Sequence, residues 1–166
     1  MAIVRKDILL AGYNGNLESV KIHKGTDKVE STNGVFVKLA GLLEGERETY
    51  KAVLAGKADV AEDVYFIHNS EVMYDERLYK LADFRIKADK VARAYGLATG
   101  DILTLTVDLF ATAPAVGQKL VVHTDGKLGL DATLTATAKY VFEVIEDSGY
   151  ELDPNMKAFA VRVTRK

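Results

Sequence analysis

The chain of 166 residues contains no cysteine and no tryptophan, and it has only two prolines and three histidines. Without cysteine it can form no disulfide bond, no thiolate zinc site and no thiol nucleophile. This composition fits synthesis in a reducing cytoplasm. His23, His68 and His123 are far apart in the sequence and share no metal-ligand spacing. The sequence therefore predicts no bound metal and no organic cofactor.

The chain also lacks an excess of charge of either sign. It has 22 basic and 24 acidic side chains, which give a net charge of −2. Proteins that bind nucleic acid usually gather a basic excess into one patch, because much of their affinity comes from releasing counterions from phosphates. The basic residues Arg162, Arg165 and Lys166 at the C-terminal end are too few for such a patch. We expect no nucleic-acid partner.

Long apolar runs are missing as well. The first 15 residues hold too short an apolar run for a signal peptide and no cleavage site follows it. No stretch approaches the roughly 20 apolar residues that a membrane span requires. The hydrophobic fraction of 48% and the charged fraction of 28% are ordinary for globular proteins. The sequence predicts a soluble globular protein without a membrane partner.

Recognisable catalytic motifs are missing too. The glycines near the N-terminus form neither GxGxxG nor GxxxxGK, and GxSxG does not occur. Acidic residues cluster at Glu44, Glu46 and Glu48, but Arg47 and Lys51 lie between or beside them. Such a cluster is typical of a solvated surface rather than of paired catalytic carboxylates, which need burial to separate their pKa values. We nominate no catalytic residue and expect no enzyme.

Period-two alternation of apolar residues dominates the last third of the chain. Such alternation is typical of half-buried strands. It occurs in the ranges 103–109, 120–122, 128–130, 140–145 and 159–163. Asp125-Gly126 separates two of these runs, and Asp-Gly is a strong hairpin signal. We predict a mainly β fold, with a small antiparallel barrel or sandwich in the C-terminal half, at about residues 98–166.

The middle of the chain is expected to be β-rich, with strands at 35–39 and 64–68. Residues 39–55 fit either a helix or a strand, although Gly41 and Gly45 each weaken a helix by about 1 kcal/mol. Residues 76–95 are equally ambiguous. The alternative we favour there is a hairpin across Ala88-Asp89. It would pair Phe84 and Ile86 with Val91, Arg93 and Tyr95.

Residues 1–33 are rich in glycine and asparagine and are predicted to form an N-terminal arm or an edge strand, with residues 34–166 as the β-rich domain. Each residue fixed in such a segment loses roughly 1–2 kcal/mol of backbone entropy. Strand-like alternation is confined to residues 17–22, which would also suit an edge strand of the protein's own sheet. The apolar residues of this segment are its candidate contacts with a partner: Ile8, Leu9, Leu10, Tyr13, Leu17, Val20 and Ile22.

Three C-terminal stretches resemble the small β-barrel head proteins of tailed bacteriophages. These are VGQKLVVHTDGKLGL, TAKYVFEVIEDSGY and AFAVRVTRK, and the middle stretches NGVFVKLAGLLEGERETYKAV and SEVMYDERLYKLADF are also similar to phage structural proteins. The resemblance implies a capsid decoration (cement) protein, made in the host cytoplasm and placed on the outer surface of the virion. It implies that the protein binds the major capsid protein, bridges capsid subunits and so stabilises the shell. The family carries no catalytic residues.

Two other classes of function compete with this expectation. A β-barrel module that binds a carbohydrate or small ligand would place exposed aromatic residues on one face. A small enzyme would need titratable groups that converge in a pocket. The symmetry of sites between capsomers favours a trimer or a monomer of the chain.

Overall fold

The computed structural model describes residues 2–8, 16–72, 83–147 and 156–165. The mainly β class predicted from the sequence is confirmed. The described strands are β1 (Val4–Ile8), β2 (Leu17–Lys24), β3 (Asp27–Lys28), β4 (Phe36–Leu42), β5 (Thr49–Leu54), β6 (Tyr65–Ile67), β7 (Ala92–Gly96), β8 (Ile102–Thr106), β9 (Lys119–Val122), β10 (Leu128–Gly129), β11 (Val141–Glu146) and β12 (Ala158–Arg165). A short helix, α1, spans Ala132–Thr137, and 3-10 turns occupy Lys57–Asp59, Val107–Leu109 and Thr124–Gly126.

Five strands close into a barrel in the order β2-β5-β4-β6-β7, with β7 pairing back to β2. Strand β2 runs parallel to β5 and antiparallel to β7, and the remaining pairings of the barrel are antiparallel. Val20 lies opposite both Tyr50 of β5 and Ala92 of β7. Strand β2 is therefore the strand that closes the barrel, and closure removes the exposed edges of its sheet.

The inside of the barrel is filled by side chains whose register places them on one face of the sheet. Val20 and Val37 are completely buried, and Ile22 is 4% exposed. Ala52 and Ala94 are completely buried opposite larger residues. Small and large residues alternate across the interior because a five-strand barrel has little room for side chains. The barrel is a packed core rather than an open channel.

The other described strands form an open antiparallel sheet in the order β1-β8-β12-β11-β9-β10. It packs against the barrel through aromatic rings in one shared hydrophobic core. The ring of Phe36 in β4 lies 5.6 Å from Phe66 of the barrel and 5.1 Å from Phe142 of the sheet, measured between centroids. The tilted and edge-on geometries are those that aromatic pairs prefer.

The C-terminal strands begin within one residue of where the alternation predicts them, but the closed barrel is formed by residues 17–96. Strands β8, β9, β10, β11 and β12 belong instead to the open sheet, whose edge is completed by β1. Period two shows which residues form a strand and which face is buried, but it does not show which distant strands pair. The parallel pairing of β2 with β5 decides where closure occurs, and no local pattern encodes it.

The described part of residues 1–33 is built into both sheets and is not an arm. Strand β1 pairs with β8, and β2 lies between β5 and β7. Strand β2 is therefore not an edge strand either. Burial of its apolar side chains inside the barrel offsets the conformational entropy that the segment loses when it becomes ordered. Glycine and asparagine content alone did not reveal this.

The two ambiguous middle segments are resolved where the structure describes them. Residues 39–55 form the β4–β5 hairpin, and Gly41 and Gly45 have positive φ angles of 106° and 80°, which a helix cannot contain. The hairpin favoured for residues 76–95 is wrong, because Ile86 bridges to Ser31 and β7 pairs with β2 and β6. Residues 73–82 lie outside the described residues.

The turn Thr124–Gly126 fastens the open sheet to the barrel. The backbone N–H of Gly126 donates to the carbonyl oxygen of Ala55 at 2.8 Å. Gly126 has a φ of 70°, and a Cβ at this position would lie 2.5 Å from the carbonyl oxygen of Phe36. Only glycine satisfies both the left-handed backbone and the close approach.

We predict that Gly126→Ala lowers the free energy of unfolding by at least about 2 kcal/mol more than Gly25→Ala does. Both glycines are left-handed, at φ 70° and 65°, so both alanine variants bear the backbone strain of about 1–2 kcal/mol. A Cβ on Gly25 meets nothing within 4 Å, whereas one on Gly126 meets backbone. Urea unfolding measures the difference. Equal losses of unfolding free energy in the two variants would show that the close approach of Gly126 to the Phe36 backbone does not matter for stability.

Candidate binding groove

A groove of about 460 Å³ lies where the barrel, the open sheet and the N-terminal segment meet. This volume falls within the range of pockets that bind small ligands or protein side chains. It is lined by Ala2, Thr32, Val35, Val107, Asp108, Leu109, Phe110 and Lys127. These residues come from four separate segments of the chain, so folding alone brings them together.

The floor of the groove is apolar and tightly supported. Ala2, Val35, Leu109 and Phe110 are each between 2% and 7% exposed. Behind them, Gly34 approaches Leu109 so closely that a Cβ on the glycine would lie 2.3 Å from the Leu109 Cδ1 atom. Such contacts leave the floor little freedom to collapse into the groove.

A break in the strand pattern creates one wall. Alternation predicts a strand as far as Leu109, but β8 ends at Thr106 and the 3-10 turn Val107–Leu109 follows. The turn is fixed by a hydrogen bond of 2.9 Å from the N–H of Val107 to the carbonyl oxygen of Lys157. The turn buries Leu109 and leaves Asp108 exposed on the rim.

Lys127 and Thr32 supply polar groups at the rim, and both are half-buried. The backbone of Lys127 is held on both sides, since its N–H donates to Thr124 at 3.2 Å and its carbonyl oxygen accepts from His123 at 2.7 Å. Within the residues that the structure describes, the Lys127 ammonium group has no hydrogen bond and no ion pair. The groove thus presents a cation beside an apolar floor.

Lys21 and Lys38 are also half-buried, but both are already neutralised. Lys21 lies 2.5 Å from a Glu46 carboxylate oxygen and 3.2 Å from one of Asp89. Lys38 is paired with Asp59. These carboxyl groups have lowered pKa values because they are hydrogen-bonded to the lysines, although burial opposes the effect at Asp59. Lys127 therefore differs from the lysines that fasten loops to the barrel.

The histidines do not form a site with one another. The ring of His68 stacks on Phe66 at 6.5 Å between centroids, and burial, assisted by the positive charge of Lys6, lowers the pKa of His68 to about 4. His23 is buried, with Nδ1 2.9 Å from the carbonyl oxygen of Lys21. Among residues 2–8, 16–72, 83–147 and 156–165, no group of three histidine or acidic side chains is placed to hold a metal ion.

A second polar cluster joins the barrel to the open sheet. The hydroxyl of Tyr140 donates to a carboxylate oxygen of Asp63 at 3.2 Å, and the Lys139 ammonium lies 2.7 Å from the same oxygen. Burial, followed by the charge of Asp63, raises the pKa of Tyr140 and of Tyr65. Both phenols stay protonated at neutral pH, so this cluster is suited to holding two surfaces together rather than to nucleophilic chemistry.

Of the contact residues predicted from the sequence, those that the structure describes are not among the residues that line the groove. Val20 and Ile22 fill the barrel interior and cannot reach a partner, which corrects that prediction. Leu17 is half-buried and packs against the core. Ile8 is the last residue of β1, and Leu9, Leu10 and Tyr13 lie outside the described residues.

Comparisons with known proteins give no relative. No family model, no curated protein and no solved structure matches the chain. Across the part of the chain that is described, no helix has the length and apolar character to cross a membrane.

We predict that the protein loses stability between pH 7 and pH 5 partly through His68. Its pKa is lower in the folded protein (about 4) than in the unfolded chain (6.5), so the unfolded chain binds the extra proton first as the pH falls. The stabilising contribution is full above pH 6.5 and is lost toward pH 4. About 1 kcal/mol should be lost by pH 5, after discounting for a ring that stays partly hydrated.

His68→Gln removes this titration and should flatten the dependence by that amount. Urea unfolding at pH 7 and pH 5 measures it. The prediction fails if the variant and the original chain lose equal stability between the two pH values.

Proposed function

We propose that this chain is a structural viral protein that binds the outer surface of an assembled phage capsid and stabilises it by bridging capsid subunits. The sequence resemblance over residues 116–130, 137–150 and 158–166 suggests this class of partner. The observation that carries the proposal of binding is the groove, whose supported apolar floor opens beside Lys127, a lysine without an ion pair among the described residues. Buried apolar anchors in such pockets supply most of the affinity of protein interfaces.

The stiffness of the body supports a bridging role. Lys21 ties the turn after β4 to the segment before β7, through Glu46 and Asp89. Asn33 is 1% exposed and donates to the carbonyl oxygen of Asn69 at 2.9 Å, while its own side-chain oxygen accepts from the Asn69 N–H at 2.9 Å. Loops fixed in this way lose little conformational entropy on binding. A stiff bridge also transmits load between the subunits it joins.

Many copies on one lattice make modest individual affinity sufficient, because neighbouring contacts act together. Strand β1 offers a second contact, since it lies at the edge of the open sheet. A strand of a capsid subunit can add to such an edge through main-chain hydrogen bonds. Of the contacts predicted from the sequence, Ile8 belongs to this strand.

A β-barrel module that binds a small ligand is the second candidate, and the groove volume favours it. The closed barrel itself does not, because Val20, Val37 and Ala52 fill its interior. A ligand-binding module would bind its ligand with the same affinity in the absence of any capsid. A capsid decoration protein would instead bind only when the assembled shell is present.

We predict that the chain co-sediments saturably with heads assembled from the major capsid protein encoded in the same genome. Thr32→Trp, which fills the groove from its rim, and Lys127→Glu, which reverses its charge, should each weaken binding about tenfold or more. The matched control is Lys119→Glu, an exposed lysine of β9 that does not line the groove. Circular dichroism verifies that each variant is folded.

Absence of the chain from the capsid pellet at any concentration would refute the proposed function. Equal binding by all three variants would instead show that attachment uses another surface, such as the edge of β1.

A further inference from the structure

The groove combines two features that a partner must match at once. Its floor of Ala2, Val35, Leu109 and Phe110 excludes charge, because an ion placed there would lose its hydration without a partner. Its rim holds Lys127, which lies between the turn Thr124–Gly126 and β10. Within the described residues, the ammonium group of Lys127 has no ion pair. The complementary ligand is apolar at one end and anionic at the other.

The position of Lys127 is set by backbone rather than by its own side chain. Gly126 is pressed against the Phe36 carbonyl group and hydrogen-bonded to Ala55, and the Lys127 main chain bonds to Thr124 and His123. The backbone from which the Lys127 side chain extends is therefore held in place.

Two charged residues, Asp108 and Lys127, belong to the lining of the groove. Asp108 is exposed on the 3-10 turn Val107–Leu109, and Phe110, which follows the turn, bridges to Leu128. A carboxylate placed near Asp108 would be repelled, and one placed near Lys127 would be attracted. The anionic group of a ligand must lie toward Lys127, with the hydroxyl of Thr32 as a further hydrogen-bond donor at the rim.

We propose that the groove anchors a segment of a protein partner in which one large apolar residue is followed by aspartate or glutamate. The apolar side chain lies on the floor and the carboxylate pairs with the Lys127 ammonium. The volume of about 460 Å³ accommodates one such side chain with its neighbouring backbone. This inference rests on the proposed function for its choice of a protein partner, and it specifies the chemistry that the partner presents.

The test uses four capped hexapeptides with the same Gly-Ser and Ser-Gly flanks and the central pairs Phe-Glu, Phe-Gln, Phe-Lys and Ala-Glu. Each is titrated into the ¹⁵N-labelled full chain, and chemical shifts of the backbone amides are followed. We expect Phe-Glu to shift amides of residues 107–110 and 127, and to bind roughly three- to fivefold more tightly than Phe-Gln. Ala-Glu should bind more weakly than Phe-Glu by about tenfold or more.

Charge reversal sharpens the test. In Lys127→Glu the order should invert, with Phe-Lys tightest, whereas Lys119→Glu should keep the original order. The milder Lys127→Gln should bind Phe-Glu and Phe-Gln equally and serves if the charge reversal disturbs the turn. The proposal is overturned if the Phe-Glu peptide shifts no groove amides at a concentration of 10 mM. This concentration is on the order of the weakest dissociation constant expected for such an anchor. An unchanged order in both Lys127 variants overturns it as well.

The outcomes separate this inference from the proposed function. Peptide binding without capsid binding would support the groove as a site for an apolar residue followed by an acidic one, and it would refute the capsid as its partner. Capsid binding without peptide binding would refute the groove chemistry and leave the proposed function standing on another surface.

Discussion

The packing of Phe36 is the contact on which the rest of the structure depends. Its ring is completely buried between Phe66 of the barrel and Phe142 of the open sheet. Its carbonyl oxygen accepts from the N–H of Ala55 at 2.9 Å, and Gly126 presses against the same carbonyl group. One residue of β4 thus joins the barrel, the sheet and the turn that positions Lys127. The groove exists because these three units are held in one arrangement.

This arrangement separates stability from binding. The buried rings and the two paired asparagines fix the scaffold, while Thr32 and Lys127 on the groove rim are half-buried and lack side-chain hydrogen bonds within the described residues. Substitution at the rim should therefore change recognition with little cost to folding, whereas substitution of Phe36 or Gly126 should alter both. Functional residues on segments positioned by a rigid scaffold commonly show this division.

Local patterns predicted much of the secondary structure, because the period of alternation is a property of neighbouring residues. Strands β8, β9, β11 and β12 were visible in this way, as was the turn at Asp125-Gly126. Closure of the barrel cannot be predicted from local patterns, because it depends on the pairing of residues 17–24 with residues 49–54 and 92–96. The groove was missed for the same reason, since its lining joins four segments that share no motif. Glycine content misled the interpretation of β2, whose burial depends on strands that follow it in sequence.

Strand β1 has a consequence for how the chain is made. It pairs with β8, which lies about 100 residues later, and the N–H of Ile3 donates to the Thr106 hydroxyl across a separation of 103 residues. At a synthesis rate of roughly 5–20 residues per second, about 5–20 s pass between the emergence of the two strands from the ribosome. All five barrel strands precede β8 in the chain, so the barrel can close first. Strand β1 must therefore remain without its partner until β8, at residues 102–106, has been synthesised.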